Sequence, residues 1–273
     1  MTTKFCVVGS PIEHSLSPLL HRAAYAQLGL DFSYEAVEVT KANLLGFLEE
    51  TQYQGVSVTM PLKTEAFELS VQASDTATTT RAANTLVRSS AGWSCENTDV
   101  YGLSQALGVV GTCSQTAIVG SGATTLSALT SLASLYPDSE VTIHARDTNA
   151  VSAAVAFGAT LGLKTSSAEL SASSIGSFDL VLSLVPAGSY PELWDEVSDL
   201  EPRPKGWLFD VSYNPWPSVP AASWGSEKVI SGLEMLIWQA IEQVQIFSSS
   251  VGQELNLDRQ ALYSVMRKAV SSK

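Results

Sequence analysis

Apolar and polar positions in the first hundred residues switch between two periods. Short apolar runs and strict alternation predict strands, whereas apolar residues spaced three or four apart predict helices. Strands and helices alternate three times before a short hairpin, an order that favours an α/β fold with a largely parallel sheet. The predicted strands are 5–8, 32–39 and 55–58, the helices are 17–28, 41–50 and 63–71, and the hairpin joins 86–88 to 93–96 around 89–92.

A second series of strands and helices begins after Asp99. A small-residue break at 108–115 leads into a strand that ends in Gly120-Ser121-Gly122, with a helix directly after it. This β-turn-α-β pattern is typical of dinucleotide-binding units. We predict a loop at 214–220, which holds three prolines, and a serine-rich connection at 166–177. The other predicted strands are 116–119, 141–144, 179–184 and 207–211, and the other helices are 101–107, 123–135, 233–248 and 257–270.

Composition excludes some classes of protein. The 273 residues are 45% hydrophobic and 15% charged, whereas disordered chains are poor in apolar and rich in charged residues. The formal net charge is -12, from 15 basic and 27 acidic residues, which argues against nucleic-acid and anionic-membrane partners. A small anionic ligand is still compatible with this charge, because the local field of a pocket can oppose it.

The three cysteines, Cys6, Cys95 and Cys113, show no Cys-x-x-Cys spacing, and the chain has only three histidines. We therefore expect no metal site, and reduced thiols of the kind found in cytoplasmic proteins. No long apolar segment follows the first residues, so we expect no signal peptide. The apolar runs also fall short of the ~18 residues that are needed to span a bilayer.

The clearest cofactor signal is Gly120-Ser121-Gly122, since it follows a predicted strand and precedes a predicted helix. The first glycine would permit a tight turn, the second would let the backbone approach a pyrophosphate, and the helix N-terminus would attract the anion. The third small position is Thr125, so an ordinary glycine-rich turn is the alternative. Arg146, just after the next strand, could bind a 2′-phosphate or could be a surface residue paired with Asp147.

Small polar residues collect at the ends of the predicted strands of the first unit. Ligands of open α/β sheets bind beyond the carboxyl ends of the strands. Each segment alone also has an ordinary explanation as a helix start or cap, and a lysine beside a proline is usually solvated. The segments are Ser15-Leu16-Ser17-Pro18, Val58-Thr59-Met60-Pro61-Leu62-Lys63, Ala83-Asn84-Thr85 and Asn97-Thr98-Asp99.

Taken together and in this order, these segments resemble the shikimate dehydrogenase family, and the resemblance spans nearly the whole chain. Its specific motifs lie towards the two ends of the chain, and the middle is generic. The segments that carry it are Val8-Gly-Ser-Pro-Ile-Glu-His-Ser-Leu-Ser-Pro18 with His21, Gly55-Val-Ser-Val-Thr-Met-Pro-Leu-Lys63, Ala82-Ala-Asn-Thr85, Asn97-Thr-Asp99 with Gly102, and Gly232-Leu-Glu-Met-Leu-Ile-Trp-Gln-Ala240.

The resemblance implies an enzyme that interconverts 3-dehydroshikimate and shikimate with NADP(H). It also implies a two-domain α/β fold with the active site in the cleft. The expected substrate domain, mostly parallel α/β, comprises 1–102 and 232–273, and the expected Rossmann-type NAD(P)-binding domain comprises 103–231. The expected partner is a small-molecule substrate, and the protein is expected to be a monomer or a homodimer.

The same resemblance assigns roles to individual residues. Lys63 and Asp99 match the family's catalytic pair: the ammonium can protonate the oxygen as a hydride reaches the carbonyl carbon, and the carboxylate orients the ammonium. The positions that match substrate-binding residues are Ser15, Ser17, Thr59, Asn84, Tyr213 and Gln239. The positions assigned to the cofactor are Gly120, Ser121, Gly122, Ala123, Arg146, Val185, Gly232 and Met235.

Several positions depart from the family pattern. Ser57 stands where Asn is usual, and because it can form fewer hydrogen bonds we expect weaker local support. Ala123 replaces a second consecutive glycine, and Ser183-Leu-Val-Pro-Ala-Gly188 replaces the usual Asn-Ala-Thr-x-x-Gly beside the nicotinamide. Ala145-Arg146-Asp147 replaces Asn-Arg-Thr, so that Arg146 favours NADP while Asp147 opposes it. The substrate side is therefore better preserved than the cofactor side.

Two other functions are compatible with the sequence. An NAD-dependent quinate/shikimate dehydrogenase would use the same catalytic pair, because quinate differs by a hydroxyl on the carbon that bears the carboxylate. A non-catalytic nucleotide sensor could be built on the same fold. A sensor needs no proton donor, so the presence of both Lys63 and Asp99 argues against it.

Overall fold

The computed structural model describes residues 2–271. The chain forms two compact units: the first comprises the described part of Met1–Gly102 and Leu236–Lys273, and the second comprises Leu103–Met235. The strands are β1 (Thr3–Gly9), β2 (Phe32–Glu38), β3 (Gly55–Val58), β4 (Gln72–Ala73), β5 (Thr85–Ser89), β6 (Gly92–Glu96), β7 (Gln115–Val119), β8 (Glu140–His144), β9 (Lys164–Ser167), β10 (Leu180–Ser183), β11 (Trp207–Asp210) and β12 (Val229–Ser231). The helices are α1 (Ser17–Leu28), α2 (Leu44–Glu50), α3 (Lys63–Glu68), α4 (Asp75–Thr80), α5 (Asp99–Leu107), α6 (Ala123–Leu135), α7 (Thr148–Thr160), α8 (Ala172–Ile175), α9 (Pro191–Ser198), α10 (Val219–Trp224), α11 (Gly232–Ser250) and α12 (Arg259–Ser271), and a 3-10 turn at Lys41–Asn43 precedes α2.

The first unit is built on a mixed six-stranded sheet in the order β2-β1-β3-β5-β6-β4. β1 pairs in parallel with β2 and β3, whereas β5 runs antiparallel to both β3 and β6. Apolar side chains of the sheet and of the segments around it, including Val8, Val56, Leu62 and Leu86, form a continuous core. Because β1 and β3 are parallel neighbours, their carboxyl ends lie side by side at one edge of this sheet.

The second unit has a six-stranded sheet in the order β12-β11-β10-β7-β8-β9, and all of its pairs are parallel. From β9 to β12, this is the 3-2-1-4-5-6 order of a Rossmann fold. The strand order reverses between β7 and β10, and α/β sheets bind ligands beyond the carboxyl ends of the strands at such a point. The predicted α/β class with a Rossmann-type unit is confirmed.

Two predicted connections contain helices. The loop predicted at 214–220 overlaps α10, because the Ser218 hydroxyl accepts a hydrogen bond from the Ala221 N–H and Pro220 fits the first turn of a helix. The serine-rich connection at 166–177 contains the end of β9 and all of α8, where the Ser171 hydroxyl accepts from the Ser174 N–H. The same residue types that predict loops are good helix N-caps, and the pattern does not separate the two.

One predicted helix is shorter than expected. The helix predicted at 63–71 ends at Glu68, because the chain turns towards β4 and the Val71 N–H donates to the Trp93 carbonyl at 2.9 Å. No prediction covered α4, α7 or α9. Within residues 2–271, none of the helices has the length and apolar character required to cross a membrane. No group of three or more His, Cys, Asp or Glu side chains in that range is placed to hold a metal ion.

Candidate active site

Lys63 is the first residue of α3, directly after the turn that follows β3. Backbone hydrogen bonds hold this turn: the Thr59 N–H donates to the Val8 carbonyl at 2.9 Å, and the Leu62 N–H donates to the Thr59 carbonyl at 2.9 Å. The Ala83 N–H donates to the Lys63 carbonyl at 2.9 Å. Lys63 is thereby fixed beside the segment that leads into β5.

Asp99 begins α5, three residues after the last residue of β6. Its N–H donates to the Asn97 Oδ1 at 3.2 Å, so that the Asn97 side chain stabilises the turn into the helix. The Asn84 N–H donates to the Glu96 carbonyl at 3.1 Å and extends the pairing of β5 with β6 to this edge of the sheet. Asn84 and Asp99 therefore lie at the edge that carries Lys63.

The Lys63 ammonium and the Asp99 Oδ2 form a short ion pair. Side-chain exposure is 17% for Lys63 and 6% for Asp99, so the carboxylate is enclosed while the lysine is still accessible to a ligand. Partial exclusion of water strengthens the attraction between the two charges relative to a surface pair. An accessible ammonium held by a buried carboxylate can donate a proton in a defined direction.

The Asn84 side chain connects this pair to its surroundings, and Asn84 is 2% exposed. Its Nδ2 donates to the Asp99 Oδ1 at 2.8 Å and to the Gln239 Oε1 at 3.3 Å. Its Oδ1 accepts from the Thr98 N–H at 2.8 Å, and because a backbone N–H can only donate, this bond determines which way the Asn84 amide points. The structure thus brings four predicted site residues together: Lys63, Asp99, Asn84 and Gln239.

The other predicted substrate residues lie near the ends of strands. Ser15 and Ser17 follow β1, and the Ser17 N–H donates to the Ser15 hydroxyl at 3.3 Å. Thr59 follows β3, and its methyl group would lie 2.4 Å from a Cβ placed on Gly9, so the two turns approach closely. Among the described residues, no hydrogen bond links these three side chains to the four residues above. Tyr213 belongs to the second unit, where it follows β11.

Ser57 makes two hydrogen bonds, and the expectation of weaker local support relative to Asn stays a prediction. Its hydroxyl accepts from the Tyr34 hydroxyl at 2.6 Å and donates to the Gln243 Oε1 at 2.8 Å. Both partners are buried, so Ser57 belongs to a buried polar cluster with Tyr34 and Gln243. Gln243 was not among the predicted site residues, although its position four residues after Gln239 puts the two side chains on one face of α11.

The turn after β7 has the properties that a dinucleotide requires. Gly120 has φ +132°, which side-chain-bearing residues rarely adopt, and a Cβ there would lie 3.0 Å from the Leu184 carbonyl oxygen. Gly122 is the N-cap of α6, no side chain caps that helix, and a Cβ on Gly122 would meet nothing within 4 Å. The first turn of α6, which begins at Ala123, carries no acidic residue. A pyrophosphate fits this open, uncapped helix N-terminus.

Arg146 and Asp147 do not form an ion pair with each other among the described residues. The Arg146 guanidinium lies 5.1 Å from the centre of the Tyr190 ring, a cation–π contact. The Asp147 Oδ1 accepts from the Asn149 and Ala150 N–H groups, each at 3.0 Å, and caps α7. Because backbone amides occupy this carboxylate, it opposes a phosphate near Arg146 less than a free carboxylate would.

A cavity of about 210 Å³ opens at the carboxyl ends of β10 and β11, and Ser183, Val185 and Asp210 contribute to its lining. Burial raises the pKa of Asp210, and a hydrogen bond from the Ser218 hydroxyl opposes part of that rise. Val185, one of the predicted cofactor residues, therefore borders a preformed space next to the switch point of the sheet.

Two further predicted cofactor residues have clear structural surroundings. Gly232 begins α11, and a Cβ on it would lie 1.9 Å from the Val211 carbonyl oxygen. Met235 is buried in the core of the second unit. Lack of space explains the glycine at 232, and burial in the core explains the apolar residue at 235. Their roles towards a cofactor stay predictions.

Known proteins are similar to this chain in sequence and in fold. The family model for the shikimate dehydrogenase substrate binding domain matches residues 7–86. A crystal structure of the shikimate dehydrogenase of Mycobacterium tuberculosis is 33% identical, covers 97% of this chain and 99% of its own, and superposes with a TM-score of 0.85. The Thermus thermophilus enzyme in complex with NADP(H) and shikimate is 26% identical, with coverages of 98% and 99% and a TM-score of 0.77.

Curated sequences agree with these structures. The shikimate dehydrogenase (NADP(+)) of Prochlorococcus marinus strain MIT 9515 is 27% identical over 92% of this chain and 93% of its own length. The pentafunctional AROM polypeptide of Candida tropicalis is 29% identical over 98% of this chain, but the chain spans only 18% of that polypeptide.

Fold and site together define a class of protein: two α/β units, one of Rossmann type and the other carrying a lysine–carboxylate pair at a sheet edge. The likeness to the mycobacterial structure extends over nearly the whole of both chains. The chain belongs to the shikimate dehydrogenase family.

Proposed function

We propose that this protein catalyses the reversible, NADP-dependent reduction of 3-dehydroshikimate to shikimate, a step of aromatic amino acid biosynthesis. The observation that carries the proposal is the contact of Lys63 with the buried Asp99, which Asn84 holds in turn. The names of the relatives support it: the Prochlorococcus sequence is a shikimate dehydrogenase (NADP(+)), and the Thermus structure contains NADP(H) and shikimate.

When bound, NADPH supplies the hydride that reduces the carbonyl carbon. Gly120, Ser121, Gly122 and Ala123 would hold its pyrophosphate at the N-terminus of α6. Arg146 would bind the 2′-phosphate, the group that distinguishes NADP from NAD. The remaining proposed cofactor contacts are Val185, Gly232 and Met235.

Lys63 would donate a proton from Nζ to the carbonyl oxygen as the carbon is reduced, and would recover a proton from solvent afterwards. In the oxidation direction, the neutral amine would accept the proton of the hydroxyl. Asp99 accepts a hydrogen bond from Lys63 at Oδ2 and one from Asn84 at Oδ1. Because both carboxylate oxygens have a partner, the ammonium is held in one orientation. Such fixed orientation is a large part of catalysis.

Polar side chains would bind the rest of the substrate. The Ser15 and Ser17 hydroxyls would donate to the carboxylate, since two aligned neutral donors satisfy an anion. Thr59, Asn84 and Gln239 would bind ring hydroxyls or the carboxylate. Tyr213 would be a further substrate contact, and because burial raises its pKa it is a neutral phenol that can donate a hydrogen bond.

The test is oxidation of shikimate by the purified protein, followed by the absorbance of the reduced cofactor, with NADP and with NAD, and then with quinate as substrate. We expect turnover with shikimate and a preference for NADP. Turnover mainly with quinate or NAD would retain the chemistry of Lys63 and Asp99 but would overturn the proposed substrate or cofactor. No turnover with any pair, in protein shown to be folded, would favour the nucleotide sensor.

A cytoplasmic location is part of the proposal. It is supported by three cysteines that are all free, Cys6, Cys95 and Cys113. The proposed assembly is a monomer or a homodimer, which light scattering on the purified protein distinguishes.

A further inference from the structure

Gln243 is an enclosed polar side chain that none of the roles above includes. It lies on α11, one turn after Gln239, and is 1% exposed. Its Nε2 donates to the Asn84 carbonyl at 3.0 Å and to the Thr85 hydroxyl at 2.9 Å. Its Oε1 accepts from the Ser57 hydroxyl at 2.8 Å. Gln243 thus makes hydrogen bonds at both ends of its amide.

The orientation of the Gln243 amide follows from the backbone of Asn84. A carbonyl oxygen can only accept, so the NH₂ end of Gln243 must face it. The Thr85 hydroxyl accepts from the same NH₂ group and donates its own proton to the Asn84 Oδ1 at 2.8 Å. Hydrogen bonds therefore run in one direction, from Gln243 through Thr85 to Asn84, whose Nδ2 donates to Asp99.

Aromatic residues hold the other end of Gln243. The His21 ring stacks on the Tyr34 ring at 3.9 Å between centroids and 7° between planes, and the His21 Nε2 lies 3.2 Å from the Gln243 Oε1. Burial lowers the pKa of His21 to about 3, so the ring is neutral, and its proton is on Nε2 because the amide oxygen can only accept. The Tyr34 hydroxyl donates to Ser57, which donates to Gln243. The position of Gln243 is therefore set by two buried donors.

We propose that Gln243 is a positioning residue that acts through Thr85 and, together with the Thr98 N–H, holds the Asn84 amide, and thereby the Asp99 carboxylate against Lys63. The inference rests on the proposed function and extends it from the reacting groups to the buried residues that support them. Without the Gln243 amide, the Thr85 hydroxyl loses a donor and can rotate away from Asn84, whose Oδ1 is then held, among the described residues, by Thr98 alone. Asp99 would then lose orientation, and displacements of about 1 Å can cost about a hundredfold in rate.

Two pairs of variants test this. Gln243→Met keeps the volume and removes the amide. Its matched control is Gln245→Met, since Gln245 lies half-buried on the same helix and, among the described residues, its side chain makes a hydrogen bond only to Ser249, at 3.5 Å. Thr85→Val removes the hydroxyl from a fully buried side chain, and Thr85→Ser restores it. We expect kcat to fall roughly ten- to a hundredfold in Gln243→Met and Thr85→Val, with a smaller change in KM for shikimate. Gln245→Met should match the wild type, and Thr85→Ser should retain most of kcat.

The double variant shows whether the two residues act in one chain of hydrogen bonds. If Gln243 acts through Thr85, then Gln243→Met with Thr85→Val should lose no more activity than the more impaired single variant. A purely structural role would instead lower the free energy of unfolding of both single variants, and the two losses of stability would add in the double variant. The kcat of each folded molecule would then be unchanged.

Nuclear magnetic resonance gives a readout that does not depend on turnover. The side-chain NH₂ of Asn84 should exchange with solvent faster in Gln243→Met and Thr85→Val, and at the wild-type rate in Gln245→Met. An inactive wild-type protein would overturn the proposed function, and the exchange rates would still decide the positioning role. An active wild type with equally active Gln243→Met and unchanged Asn84 exchange would overturn this inference alone.

Discussion

At the scale of single residues, the ion pair of Lys63 with Asp99 is the feature on which activity should depend most. We expect Lys63→Ala to lower kcat by about 10²- to 10⁴-fold, the contribution of a positioned general acid, with a smaller effect on KM for shikimate. The matched control is Lys41→Ala, because Lys41 also forms an ion pair, with Glu65 at 3.0 Å, but is 65% exposed. Steady-state kinetics of both variants check this, and near-normal turnover of Lys63→Ala would exclude the lysine as the proton donor.

The turn after β7 gives a second prediction at this scale. Gly122→Ala should leave the free energy of unfolding within about 0.5 kcal/mol of wild type, because the added Cβ meets nothing within 4 Å and φ is not positive. The methyl group would face the space where a pyrophosphate would approach, so KM for NADP should rise while KM for shikimate stays constant. Kinetics with each substrate varied in turn measure both constants. An unchanged KM for NADP would mean that the cofactor does not contact this glycine.

The sequence was sufficient for the reacting groups and insufficient for their support. Lys63, Asp99, Asn84 and Gln239 stand in short local motifs, and the fold brings all four together. Gln243 stands in no such motif, and its partner His21 is 222 positions away along the chain. Hydrogen bonds over such separations depend on the tertiary fold, which neither periodicity nor spacing encodes.

At the scale of elements, the hydrophobic period predicted the long elements well and the short polar ones poorly. α1 and α6 have the predicted bounds, because an apolar face recurs along each of them. α8 has only four residues and lies in a serine-rich tract, so it shows no helical period. It forms because Ser171 caps its first turn and because Ala172 and Ile175 are buried, and that burial is a property of the folded unit.

The junction between β12 and α11 supplies a prediction about an element boundary. Gly232→Ala would place a Cβ 1.9 Å from the Val211 carbonyl oxygen and 2.4 Å from its carbon. Val211 cannot move freely, since its N–H donates to the Ser183 carbonyl at 2.9 Å beside β10. We expect a loss of about 1–3 kcal/mol in the free energy of unfolding, as for other overpacked sites.

Urea titration of Gly232→Ala measures that loss. Gly46→Ala is the matched control, because Gly46 lies inside α2 and a Cβ there meets nothing within 4 Å. The control should gain up to about 1 kcal/mol from the higher helix propensity of alanine. Equal stability of Gly232→Ala and wild type would show that the start of α11 shifts without cost.

At the scale of the whole molecule, the first unit is assembled from both ends of the chain. α12 packs against α1, and α11 supplies Gln239 and Gln243, which both bond to Asn84 just before β5. The hydrophobic pattern after residue 232 shows only two amphipathic helices and does not say which sheet they cover. The buried polar groups of this unit include His21, and a buried histidine should make the stability of the molecule sensitive to acid.

His21 sets the sign of that sensitivity. Burial lowers its pKa from 6.5 to about 3, so between these values the unfolded chain binds a proton that the folded chain does not. As far as His21 is concerned, the free energy of unfolding is highest above pH 6.5, and it falls by up to about 1.4 kcal/mol for each pH unit below that value. Burial raises the pKa values of Glu96 and Asp210, which acts in the opposite sense, so His21 must be isolated by difference.

The difference between wild type and His21→Gln isolates it. Hydrogen exchange of amides in β1 and β3 between about pH 7.5 and 5 reports the free energy of unfolding of this unit, once exchange rates are corrected for their intrinsic pH dependence. We expect the stability advantage of wild type over His21→Gln to shrink by about 2 kcal/mol from about pH 7.5 to pH 5, since the variant has no imidazole ring to take up a proton. His14→Gln, a change at an exposed histidine, should run parallel to wild type. Parallel curves for wild type and His21→Gln would mean that water reaches His21 in the folded protein and that Gln243 has no buried neutral ring beside it.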